Sequence, residues 1–329
     1  MGRGFDPFRP TPLLQLEEKA ESIALGTHAI YIGTSQGSIQ HYELPPETAN
    51  DDSSASACVS PPRRKATAKV SKKPVEQLCL VGDFLVALSD GGVFVLGAED
   101  VCASAPSSVT RDVKCICPHT LPTSSGGSED YTGPMEVCVA ARKKLILYAA
   151  SGRHLALEAR QEFPTPDVAL TVAWHGSWIV AGFKAKYCLY SATSGIPRDI
   201  CPLDGKTTPR LALLPPSAST QPASQGELLL VVSETISQFY RLDTQQMSAR
   251  NSITWPRRVG PIAAVGPYIL GSPGGGQVDV FTLREQRCSQ TLALPGTILE
   301  LAFHKSRIIV ASDTALTVLE RLPFERLPK

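Results

Sequence analysis

Short apolar runs, separated by turn residues and gathered in threes, recur along this chain at roughly the spacing of propeller blades. One group reads ESIALGTHAIYIGTSQGSIQHYEL, from Glu21 to Leu44. Others run from Glu76 to Ala98, Thr171 to Gly195, Ile262 to Leu283 and Ile298 to Leu322, with weaker copies at Met135–Ala150 and Glu227–Leu242. Ile30–Ile32, Phe84–Leu88, Leu145–Tyr148, Leu228–Val232 and Ile308–Ala311 are short, apolar and bounded by Gly, Asp, Ser or Pro, which predicts strands. Asp90-Gly91-Gly92 and Gln36-Gly37 predict hairpin turns, because such turns need backbone at positive φ. No sustained helical period appears, and no βαβ alternation, so a Rossmann fold or an α/β barrel is excluded. The pattern predicts an all-β, WD-repeat-like propeller of about seven blades.

A propeller must close its ring. The last group shows no fourth strand after Leu316–Leu319, and Pro12–Leu16 precedes the first group. Pro12–Leu16 is therefore predicted as the outer strand of the last blade. That joins the two chain ends and removes an open edge.

Composition narrows the function. The chain has 329 residues, 43% of them hydrophobic, which is ample for a large core. A formal charge of +1 gives no global field toward nucleic acid. The nine cysteines are odd in number, and Cys79, Cys138 and Cys188 sit in apolar strand-like runs. That pattern predicts reduced thiols, none of them binding zinc, in a cytoplasmic protein. No apolar run approaches the ~18 residues of a membrane span, and MGRGFDPFRP has no signal-peptide core. Three polar stretches predict disordered loop insertions, near 45–74, 104–133 and 215–226. None of them reads as a linker between domains, so one domain over residues 1–329 is expected.

Several stretches, taken in order and spacing, resemble a known family. They are IYIGTSQG (Ile30–Gly37), KKPVEQL (Lys72–Leu78), EVCVAARKKLILY (Glu136–Tyr148), YCLYSATSG (Tyr187–Gly195), ITWP (Ile253–Pro256), VGPYILG (Val265–Gly271), SQTLALP (Ser289–Pro295) and RIIVASDTALTVLERLPFERL (Arg307–Leu327). The chain resembles the citron-homology (CNH) propeller of endosomal and vacuolar tethering subunits. Within that group it is most similar to the transforming growth factor-β receptor-associated protein family, the CORVET-specific subunit, related to a vacuolar sorting subunit of HOPS. The resemblance implies a seven-bladed propeller and a non-enzymatic role in vesicle tethering and protein transport. It implies partners among Rab5-type small GTPases and other tether subunits, and a place on early endosomal or vacuolar membranes. In the family a helical solenoid follows the propeller; this chain stops where that solenoid would begin. No Rab-contact motif of the family can be placed on these residues.

Candidate chemistry is sparse. Cys115-x-Cys117 with His119 has the flavour of a zinc site, but a closed site needs a fourth ligand nearby. Period two puts Val113, Cys115 and Cys117 on one strand face, so a strand entering a loop accounts for the same residues. Gly271–Gly276 is glycine-rich but has no following Lys-Ser or Lys-Thr, and reads as a turn. His175 and His304 fall at equivalent turn positions of two groups, and no GxSxG elbow is present. Trp174 and Trp178 flank a turn and read as blade packing. No catalytic, cofactor-binding or metal-ligating residue is assigned. The sharpest local charge is basic: Arg63, Arg64, Lys65, Lys69, Lys72 and Lys73. It is a candidate contact for an anionic surface, and it sustains an alternative reading as a lipid- or nucleus-directed adaptor. A solvated loop accounts for the same charges.

Overall fold

The computed structural model describes residues 6–44, 61–101, 107–108, 110–120, 135–151, 156–215, 226–304 and 307–322. Among them every regular element is a β-strand, and no helix is long and apolar enough to cross a membrane. Ala20–Leu25, Ala29–Thr34, Ser38–Glu43 and Arg63–Lys69 form an antiparallel meander, the first blade. Val75–Val81, Phe84–Ser89, Gly92–Gly97 and Ser107–Ser108 form the next. The turns behave as their residues require: Gly37, Asp90 and Gly91 sit at φ of 80°, 51° and 67°.

Ile262–Val265, Tyr268–Gly274, Gln277–Thr282 and Cys288–Ala293 make another four-stranded blade. A five-stranded one contains Leu211–Leu213, Glu227–Ser233 and Ile236–Arg241, with Gln246–Met247 and Ile253–Thr254 both pairing on Ile236–Arg241. The closing blade holds Ile298–His304, Arg307–Ser312 and Ala315–Arg321. Its outer strand is Phe8–Gln15, antiparallel to Ala315–Arg321 from Phe8↔Arg321 to Gln15↔Ala315. The predicted closure therefore holds, with the strand starting four residues before Pro12.

The expectation of seven separate blades is corrected. Five sheets stand alone as blades, while Val113–Thr120 through Ala156–Pro164 and Thr171–His175 through Pro197–Pro202 form one eight-stranded sheet. The join is a parallel pairing of two inner strands, His119↔Trp174 and Thr120↔His175, reinforced by the Thr120 hydroxyl donating to the Trp174 carbonyl at 2.8 Å. Turn signals in sequence mark hairpins, not such lateral pairing between blades.

The loop expectation over 45–74 is corrected as well: Arg63–Lys69 is a strand, paired from Ser38↔Lys69 to Glu43↔Arg63. The outer strand of a blade has only one covered face. Ala66 and Ala68, between exposed Lys65, Thr67 and Lys69, are enough to supply it. Residues 107–108 and 113–120 are likewise strands inside the expected 104–133 loop. Residues 45–60, 121–134 and 216–225 lie outside the described residues.

The core lies between blades. Ile39, Tyr31, Leu85 and Leu96 pack between the first and second blades; Leu13, Ile23, Ile30, Ile309 and Leu316 pack between the closing and first blades. Middle strands are covered on both faces, which is why Phe84–Ser89 is buried throughout and reads as an unbroken apolar run. The inner strands meet in a circle that returns from Ile298–His304 to Ala20–Leu25.

Four of these inner strands carry the same irregularity. A bulge inserts one residue between Ala20 and Ser22, Val75 and Gln77, Val113 and Cys115, and Ile298 and Glu300. The residue after each bulge reaches the next blade. Ser22 Oγ donates to the Val75 carbonyl at 2.7 Å, and Cys115 Sγ to the Ala169 carbonyl at 3.7 Å. Gln77 Oε1 accepts from the Ile116 N–H at 2.8 Å, and Glu300 Oε2 from the Ile23 N–H at 2.9 Å. Backbone groups that no neighbouring strand satisfies are thus satisfied by side chains. The bulge at Lys114 also breaks the expected single face of Val113, Cys115 and Cys117. Val113 packs in the cluster shared with Val86, while Cys115 packs with Trp174 and Cys117 lies against that second cluster.

Candidate functional site

The six basic residues singled out in sequence run along one blade edge and into the turn that follows. Arg63, Arg64, Lys65 and Lys69 are exposed on the outer strand of the first blade. Lys72 and Lys73 are exposed on the turn entering the second blade. Gly37, at φ 80°, lets that turn lie close: a Cβ there would meet the Lys73 carbonyl oxygen at 2.4 Å. Val70 and Ser71 donate their N–H groups to the Gly37 carbonyl at 3.0 and 3.2 Å. Two of the six cations are engaged. Arg64 pairs with Glu17 Oε2 at 2.9 Å, and Lys69 Nζ donates to the Gln36 carbonyl. Such exposed pairs are worth ~0–1 kcal/mol. Charge along this edge also keeps an unpaired strand from recruiting another chain.

The Cys115, Cys117 and His119 constellation is spent on packing. Among the described residues no group of three or more His, Cys, Asp or Glu is arranged to hold a metal ion. His119 stacks on Trp174 with ring centroids 4.1 Å apart; its Nδ1 lies 2.9 Å from Glu136 Oε2 and its Nε2 3.0 Å from the Gly176 carbonyl. Trp174 Nε1 donates to the same carbonyl at 3.0 Å. His175, 3.0 Å from the Thr120 hydroxyl, is held below its ordinary pKa by burial and by neighbouring His119. His175↔Trp178 and His304↔Arg307 each close the hairpin leaving an inner strand, as the equivalent positions predict. The thiols of Cys79, Cys115, Cys117, Cys138, Cys188 and Cys201 are free and raised above their ordinary pKa by burial, with Cys117 at about 11; Cys288 is free and exposed. A thiol so raised is a poor nucleophile.

Sequence reasoning missed a cleft of about 420 Å³ between the five-stranded blade, the blade after it and the start of the closing blade. Its walls include Val231, Val259, Pro261, Pro273 and Ile298. Its charged groups are Arg210, Arg258 and Glu234. Arg258 donates to the Thr208 hydroxyl at 3.1 Å and lies 3.8 Å from Glu234 Oε1. The Arg210 backbone is clamped by the buried Tyr187: the phenol accepts from the Arg210 N–H at 2.8 Å and faces the Arg210 and Val231 carbonyls at 2.8 and 2.9 Å. One hydroxyl proton serves one of those two carbonyls at a time. Trp255, itself buried behind the cleft, donates from Nε1 to Ser237 Oγ at 2.8 Å within the five-stranded blade. Arg210 and Arg258 are far apart in sequence, and no local motif marks either.

The fold defines an all-β, propeller-like protein in which a few buried polar groups, Ser22, His119 and His175 among them, bond from blade to blade. The model of the CNH domain matches residues 26–302, and the chain belongs to that family. A Vam6/Vps39-like protein of Mus musculus is 27% identical over 241 residues, covering 70% of this chain and 26% of that protein. The Homo sapiens Vam6/Vps39-like protein is 26% identical over the same length. A transforming growth factor-beta receptor-associated protein 1 homolog of Danio rerio is 22% identical over 92% of this chain and 33% of its own length. The chain thus spans about a quarter to a third of the length of these relatives. Among solved structures, the AfRom2 CNH domain aligns over 96% of the chain with a TM-score of 0.65 at 15% identity. The Neurospora crassa Pan2 WD40 domain aligns over 97%, also at 0.65. Both share the fold.

Proposed function

We propose that this CNH domain is a non-catalytic interaction platform in endosomal or vacuolar vesicle tethering. It acts as a single propeller domain, cytoplasmic and peripheral on early endosomal or vacuolar membranes. Its partners are a Rab5-type small GTPase and other subunits of the tether. The observation that carries this reading is the alignment of most of the chain to Vam6/Vps39-like and transforming growth factor-beta receptor-associated relatives, inside a CNH match spanning residues 26–302. The commitment of His119, Trp174, Thr120 and Glu136 to packing agrees with it.

The test is capture of the purified chain on immobilised Rab5-type GTPases loaded with a non-hydrolysable GTP analogue or with GDP. Retention several-fold greater on the GTP form is expected. Equal retention on both forms removes the GTPase from the proposal.

The row of exposed cations favours a second reading, an adaptor directed to anionic lipid. Each basic side chain near such a surface is worth ~1 kcal/mol. Under that reading, replacing Arg63, Lys65, Lys72 and Lys73 by Glu abolishes co-sedimentation with phosphatidylserine vesicles. Under the tethering reading the same variant still binds the GTPase.

A further inference from the structure

The cleft holds a cation with nothing to pair it. The Arg210 guanidinium makes no hydrogen bond and no ion pair among the described residues, although those of Arg258 and Arg241 both do. Arg210 is half-buried, and burial together with the charge of Arg258 holds its pKa below the ordinary value. An uncompensated charge at a half-buried position is costly unless something brings it a counter-charge. Arg258 already shares its charge with Glu234, so the three ionic groups of the cleft leave one net positive charge. Around the ionic groups, small apolar residues such as Val231, Pro261 and Pro273 alternate with the hydroxyl-bearing Thr207, Thr208, Ser272 and Thr297. The clamp of Tyr187 on the Arg210 backbone fixes where the guanidinium starts from, which reduces the ordering cost of binding.

We propose that this cleft is a docking site for a short acidic peptide segment, whose single Asp or Glu carboxylate pairs with Arg210 while flanking apolar residues lie on the Val259 and Pro261 wall. The charge balance favours a carboxylate over a dianionic phosphate, because only one positive charge is unmatched. A guanidinium also presents a planar fork that fits a carboxylate in two-point geometry. The site shares no residue with the basic edge at 63–73, and it does not depend on the tethering reading. A failed GTPase capture leaves this proposal standing.

The test uses the whole chain. Phage-displayed random dodecapeptides are selected on the wild-type protein, and the best binder is made synthetically and titrated by fluorescence anisotropy. Selected peptides are expected to share one Asp or Glu. Changing that residue to Asn or Gln, with the wild-type protein unaltered, is expected to weaken binding by at least about tenfold. Arg210→Gln should weaken it as much, and Arg210→Lys partly restore it. Arg257→Gln, exposed and outside the cleft, should leave it unchanged. Selection without an acidic consensus, no enrichment at all, or undiminished binding to Arg210→Gln overturns the proposal. So does an outcome in which no peptide is selected but phosphatidylserine vesicles bind in an Arg210-dependent way, which would assign the cleft to a lipid headgroup.

Discussion

Phe8→Ala is expected to cost the protein about 3–5 kcal/mol of stability, the range for truncating a fully buried aromatic. Phe8 opens the strand that closes the ring and is 2% exposed. Its ring meets Tyr268 of the neighbouring blade edge-on, with centroids 5.1 Å apart, and it packs in the cluster of Val278, Val280, Ile308 and Val310. Its backbone is gripped from the same neighbour: Gln290 Oε1 accepts the Phe8 N–H at 3.0 Å, and Gln290 Nε2 donates to the Phe8 carbonyl at 2.6 Å. One residue thus joins the closing strand to two blades. The loss is read from urea unfolding, with exposed Arg9→Ala as the comparison, for which a change within ~0.5 kcal/mol is expected. Removing residues 1–18 exposes the whole edge of Ala315–Arg321 and should lower stability further. A Phe8→Ala protein as stable as the Arg9→Ala one would show that closure contributes little.

Glu300→Gln is expected to stabilise the protein above neutral pH and to flatten its pH dependence. Glu300 follows the bulge in the inner strand of the closing blade and bonds to Ile23 of the first. Burial pushes its carboxyl from 4.5 up to about 7, against the opposing pull of the Ile23 N–H. The folded protein therefore holds this proton more tightly than the unfolded chain does. Its contribution to stability is greatest below about pH 4.5, falls as the pH rises through 4.5 to about 7, and is lowest above that. The full span corresponds to up to about 3 kcal/mol. Gln keeps the acceptor oxygen for Ile23 without the charge, so the variant should exceed wild type most at pH 8 and match it near pH 4.5. Unfolding free energies of the two proteins that run parallel across this range would overturn the assignment.

Much of the ring was legible in the sequence because its strands are covered on both faces. Phe84–Ser89 and Arg307–Ser312 had to be continuous apolar runs, and Gly37 or Asp90-Gly91 had to sit between them. The closing strand was legible for a different reason, as the partner that Ala315–Arg321 lacked. Arg63–Lys69 was not legible. Its covered face is two half-buried alanines, and five of its seven residues are basic or threonine, a composition that reads as solvent. The bulges were hidden too. An inserted residue leaves no mark on composition, yet it moved Val113 away from Cys115 and aimed Glu300 at Ile23. The cleft was invisible because Arg210, Glu234 and Arg258 lie far apart in sequence and are gathered by backbone bonds, Val231 N–H to the Arg210 carbonyl and Val259 N–H to the Glu234 carbonyl.

The parallel seam at His119–Trp174 and Thr120–His175 gives the ring an unequal mechanics. There two sectors are joined by backbone pairing and form one continuous sheet. At the boundary between the five-stranded blade and its successor, where the Arg210 cleft opens, no strand ladder crosses, and the sectors are held by the Val259 and Gly260 backbone bonds to Glu234 and Ser272 and by side chains such as Trp255 against Phe281. A wheel stiffened on one side yields on the other. No strand pair crosses the boundary where the cleft opens, so the cleft can widen for an incoming segment without any strand pair being broken.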